Sequence, residues 1–130
     1  MKKRIGLMLF LLITGFANMA TPDIYEIISS AIRSGKAGEI SQYFNANVEL
    51  TIGNQEEVYS KAQAEQVLKE FFSKNTPRSF TLIHQGLSKE GAKYAIGNLT
   101  TQQGNNYRTY FFIKQVGTAE YIQELRFEKE

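Results

Sequence analysis

Cysteine and tryptophan are missing from this 130-residue chain, and histidine, aspartate and proline are scarce. Without cysteine there can be no disulfide, no lipidated cysteine, no thiol nucleophile and no thiolate ligand for zinc. His84 is the only histidine and Asp23 the only aspartate. A transition-metal site of the usual ligand number therefore has no donor set to draw on, and no cofactor motif stands out. Hydrophobic runs are short as well. The longest, Ile5 to Phe16, falls well below the roughly 20 apolar residues that span a bilayer.

That run has a different meaning at the chain's start. Lys2, Lys3 and Arg4 precede it, and the small residues Gly15, Ala17 and Ala20 follow. A positive end, a short apolar core and small residues are the order of a secretory signal peptide. Residues 1–20 are expected to be removed after Ala17 or Ala20, leaving no membrane anchor and a domain over residues 21–130 in the periplasm or outside the cell. Three of the 15 lysines and arginines lie in that leader, so the remainder has 12 against 13 acidic residues, a net charge of about −1. No basic run is left to neutralise a phosphate backbone, so nucleic acid is not an expected partner.

The remainder divides by period. Thr21-Pro22-Asp23 opens a first helix, on which Ile24, Ile27, Ile28, Ala31 and Ile32 make one apolar stripe, ended by Ser34-Gly35. A short second helix carries Ile40, Tyr43 and Phe44 and breaks at Asn45-Ala46-Asn47. Val48, Leu50 and Ile52 alternate as a strand, with a returning strand at Val58-Tyr59. Ser60 and Gln63 form a capping box for a third helix with Ala64, Val67, Leu68, Phe71 and Phe72 inward. After Pro77 the period becomes 2. Four strands follow, at about 79–86, 93–102, 107–114 and 120–128, joined by short turns as an antiparallel meander. Helices first and a meander last make an α+β layer fold.

Centring the turns pairs His84 with Tyr94, Leu82 with Ile96, Ile96 with Ile113, and Ile113 with Tyr121. One face then carries Phe80, Leu82, Ile96, Phe111, Ile113, Tyr121, Leu125 and Phe127 and meets the helices. The other carries Ile83, Ala95, Gly97, Leu99, Arg108, Tyr110, Phe112, Ile122, Glu124 and Arg126. A one-residue slip exchanges the faces of a strand.

The stretches SGKAGEISQYFNANVEL, YSKAQAEQVLKEFF and FTLIHQG, in this order of elements, resemble the nuclear-transport-factor-2-like superfamily, and within it an exported family largely from Bacteroidetes whose function is not established. The resemblance spans the whole chain after the leader. It implies a strongly bent sheet wrapped over helices as a cone (a cystatin-like layout), and a habit of pairing into homodimers. Enzymes on this cone usually place an Asp or an Asp–His pair in the pocket as general base. Here the one aspartate sits at a helix start, where its charge suits the dipole. The glutamates Glu49, Glu56, Glu57, Glu65 and Glu70 fall on polar faces or turns. No catalytic residue is assigned.

An isomerase or hydrolase of the cone type would need a carboxylate inside the cone and is the last of three readings; the other two name working surfaces. The first is the cone, where a small apolar or amphipathic ligand would meet His84, Tyr94, Asn98, Gln123 and Tyr59. Asn98, Thr109 and Gln123 interrupt an apolar face, so they either bond to each other or line a cavity. The second is the outer sheet face, where Ile83, Leu99, Tyr110, Phe112 and Ile122 would present apolar area to a second copy or to another envelope protein, rimmed by Arg108, Glu124 and Arg126.

Overall fold

The computed structural model describes residues 22–130. The expected leader, residues 1–20, lies outside them. The elements run α1 (Ile24–Ser34), α2 (Ala37–Ser41), β1 (Phe44–Ile52), β2 (Gln55–Ser60), α3 (Lys61–Lys74), β3 (Pro77–Leu87), β4 (Lys93–Thr101), β5 (Asn106–Val116) and β6 (Ala119–Lys129).

Each helix starts and stops for a local reason. Asp23, rather than a hydroxyl, caps α1, accepting from the Glu26 amide at 2.9 Å. Gly35 closes the helix at φ 65, a conformation that costs glycine nothing, and its own and the following amide return to Ile32 and Ala31. The expected capping box holds: Ser60 Oγ accepts from Gln63 N, and Gln63 Oε1 from Ser60 N, both at 3.2 Å.

The strands form one mixed sheet in the order β2-β1-β6-β5-β4-β3. All neighbours are antiparallel except β1 and β6, which run parallel. The meander is therefore extended past β6 by the earlier hairpin, whose connection to the rest is α3. Asn45-Ala46-Asn47 does not break a helix; it lies inside β1, where pairing with β6 is irregular between Phe44 and Glu49. Asn45 makes this possible by donating to Gln123 Oε1 at 3.0 Å and accepting from its neighbour's amide.

One core binds the layers. Ile28, Ile32, Ile40, Leu68, Phe71 and Phe72 from the helices meet Val48, Leu50, Phe80, Leu99, Phe111, Ile113, Ile122, Leu125 and Phe127 from the sheet. Phe71 is its aromatic hub, 4.8 Å from Phe127 and 5.2 Å from Tyr107 between ring centroids, the latter edge-on. At the far edge Arg33 reaches from the last turn of α1 to the carbonyl of Phe80 at 3.2 Å. Tyr25 Oη donates to the Gly86 carbonyl at 2.8 Å.

Two bulges set which residues face this core. Ile83 is the extra residue between the pairs Leu82↔Gly97 and His84↔Ile96. Gln123 is the extra residue between Ile113↔Ile122 and Phe112↔Glu124. Each reverses the facing of its strand and bends the sheet. The expected register is corrected accordingly: Tyr94 pairs with Gly86 and Ile96 with Tyr110. Ala95, Gly97, Leu99 and Ile122, expected outside, are buried; Ile96 and Tyr121, expected in the core, are half-buried on the opposite face. Gly97 shows why β4 must face this way. A Cβ there would sit 2.5 Å from Phe80 Cζ, so only hydrogen lets that ring lie on the strand.

Candidate functional site

The helices occupy one face of the sheet, and its other face is a grid of side chains fixed by strand register. One row reads Tyr94, Phe112, Glu124, Glu49 across β4, β5, β6 and β1. The next reads Ile96, Tyr110, Arg126, Thr51, and ends at Glu56 on β2. The β4–β5 half is thus aromatic and aliphatic, and the half nearer β2 is charged. Tyr94, Ile96, Tyr110 and Phe112 are half-buried.

Arg126 ties the halves together. Its guanidinium donates to the Glu124 carboxylate and lies 5.2 Å from the Tyr110 ring centroid. Burial raises the Tyr110 phenol above its ordinary pKa, with Glu124 adding to the shift. Glu49 is raised too, first by a hydrogen bond with Glu56, then by burial and the nearby Glu124. Thr51 is buried with a hydroxyl that has no partner.

The five residues expected to line a cone pocket do not converge. His84 is exposed on the outer face, its Nε2 3.2 Å from Tyr94 Oη. The two rings meet as expected, but across a diagonal and away from the helices. Asn98 is also on the outer face, paired with Arg108. Gln123 is the bulge residue, bonded to Asn45 and to the Asn47 carbonyl. Tyr59 alone is turned inward, against the core. Thr109, read with Asn98 and Gln123, is fully buried on the inner side and donates to the Tyr107 carbonyl at 3.4 Å. The three polar residues thus neither bond to each other nor share a wall.

The residues expected to form a pairing face divide. Ile83 (61% exposed), Tyr110 and Phe112 are outside; Leu99 and Ile122 are at 0% exposure in the core and are withdrawn from that face. The bulge at Gln123 and the tighter turn before β5 are the cause. Ile96 and Tyr94 take their places. A run of alternation shows that a strand has two faces, but no side chain in it announces an extra residue.

Cavities lie beside the helices and on the outer face. An open groove of about 750 Å³ runs between α2 and α3, lined by Lys36, Ser41, Gln42, Lys61 and Glu65. A recess of about 370 Å³ sits beside Phe112, Lys114 and Gln123 at one end of the outer face. Among the described residues, no three His, Asp or Glu side chains gather to hold a metal ion, and no helix is long and apolar enough to cross a membrane.

Helices laid inside a bent six-stranded sheet define a nuclear-transport-factor-2-like α+β cone. The family model described as "Domain of unknown function (DUF4783)" matches residues 25–128, and the chain belongs to that family. A DUF4783 family protein from Bacteroides fragilis is 32% identical, aligning over 83% of this chain and 100% of its own with a TM-score of 0.76. One from Bacteroides uniformis is 29% identical, over 83% and 98%, with a TM-score of 0.77. A de novo designed protein with a curved β-sheet, 12% identical over 80% of this chain and 94% of its own, shares the fold at a TM-score of 0.65. No curated protein matches.

Proposed function

We propose that this is an exported, non-catalytic interaction domain of the cell envelope, working through the outer face of its sheet, and that its first partner is a second copy of itself. The observation that carries this reading is the asymmetry of the sheet. The inner face is filled, with Phe111, Leu125, Phe127 and Leu99 all at 0% exposure, while the outer face keeps two rows of partly exposed rings and aliphatics. A ligand held in the cone would need room on the filled side. Charge content favours a self-partner: the outer face carries Arg108 and Arg126 among Glu49, Glu124 and Glu128, both signs on one surface.

Sedimentation equilibrium on the chain lacking residues 1–20 tests this. Among the described residues the core runs from Ile24 to Phe127, all of which that form carries. The wild type is expected as a dimer, and Phe112→Glu as a folded monomer. A wild type that stays monomeric through the micromolar range, or a Phe112→Glu variant that pairs as before, overturns the reading. A metabolite or lipid co-purifying from the native host in stoichiometric amount would favour the ligand reading instead.

A further inference from the structure

Resting on that reading, we infer that the outer face is complementary to itself under one particular two-fold axis, which runs across the strands midway between the Tyr94 row and the Ile96 row. The two rows are adjacent on the same face, their members two residues apart on every strand. A two-fold lying between them exchanges the rows. Phe112 then comes over the partner's Tyr110, and Tyr94 over the partner's Ile96. Glu124 comes over the partner's Arg126, and Arg126 over the partner's Glu124. Aromatic meets apolar on β4 and β5 and acid meets base on β6, while Glu49 meets Thr51 on β1 and Val58 meets Glu56 on β2. Strands of the two copies run antiparallel, and the sheets stack face to face at the ordinary spacing of about 10 Å.

The other simple two-fold, running along β5, fails on charge. It would lay β6 on the partner's β4, setting Glu124 and Arg126 against Tyr94 and Ile96 of the second copy. The Glu124–Arg126 pair keeps its bond within the chain there but gains no charge from the partner, and is taken out of water onto apolar groups. A second, independent feature agrees with the cross-strand axis. Thr51, 8% exposed, has a hydroxyl without a partner, and the exchange brings it opposite the partner's Glu49, an acceptor for that proton.

The test uses single charge reversals, taken apart and then mixed. Glu124→Arg alone places arginine against arginine across the axis, and Arg126→Glu alone places glutamate against glutamate. Each is expected to weaken self-pairing roughly tenfold or more. Mixed, they are expected to form a one-to-one heterodimer in native mass spectrometry, because each arginine then faces a glutamate. Within each chain the neighbouring charges are alike in both experiments, so an effect confined to the single chain cannot restore pairing in the mixture. If the wild type pairs and Phe112→Glu breaks it, but the mixture stays unpaired or the single variants pair like wild type, the axis is wrong while the face stands. If the wild type is itself monomeric, both fall. Should circular dichroism show either variant unfolded, Glu124→Lys with Arg126→Asp repeats the test with shorter or more flexible side chains.

Discussion

Gly97 and Phe80 show how far a single residue can decide a strand's facing. The ring lies where a Cβ would be, with the Thr81 carbonyl only 2.8 Å from the same point. Gly97→Ala should cost about 1–3 kcal/mol by overpacking, read from urea unfolding of variant against wild type. A Phe80→Ala partner change should recover part of that loss in the double variant, since the ring is what the methyl meets. An unchanged midpoint for Gly97→Ala alone would mean that Phe80 is not seated on β4. Glu49 makes a second residue-scale case. Its folded pKa lies above its ordinary value, chiefly through the shared hydrogen bond with Glu56. The folded state therefore holds the proton more tightly than the unfolded one. Glu49 thus opposes folding at neutral pH, and stability is gained as pH falls through the raised value toward the ordinary 4.5. Glu49→Gln should melt no lower than wild type at pH 7 and should gain less between pH 7 and pH 5. An equal gain in the two proteins would assign the acid effect to other groups.

The elements themselves were largely legible, and their facing was not. Apolar spacing placed α1 and α3, the Ser60–Gln63 pair marked the start of α3, and turn residues separated β3 to β6. These are local signals, set by residues within one turn of each other. What escaped was the phase of β4, of β3 beyond Leu82 and of half of β6. Ile83 and Gln123 are unremarkable strand residues in the sequence; each is a bulge only because a neighbouring strand has no residue opposite it. Leu99 and Ile122 were therefore read as surface, and Ile96 and Tyr121 as core. Asn45-Ala46-Asn47 misled for a related reason, since its irregular pairing is supported by a side chain 78 positions away. The caps and the core can be tested at this scale. Ser60→Ala should cost about 1 kcal/mol, because the Gln63 amide loses its acceptor. Phe127→Ala should cost about 3–5 kcal/mol, as the ring lies against Phe71 and Phe72 at 0% exposure. Denaturant midpoints measure both, and a smaller loss at Phe127 than at Ser60 would contradict the aromatic hub.

For the molecule as a whole, the sheet divides two tasks. Its inner face makes the core with three helices, and its outer face is organised by register into an apolar half and a charged half joined by Arg126. The residues expected around the cone separate because the bulges alter the register of β3, β4 and β6, while Tyr59 on β2 stays inward. Tyr110 and Phe112 are on the outer face as expected because they lie on β5, whose phase follows from its alternation. Amide and side-chain NMR shifts, followed as the protein is diluted, test most directly that this outer face is the working surface. The expected result is a concentration-dependent change confined to Tyr94, Ile96, Tyr110, Phe112, Glu124 and Arg126, with α1 and α3 unmoved. Spectra that do not change on dilution, or changes centred on the helices, would contradict it.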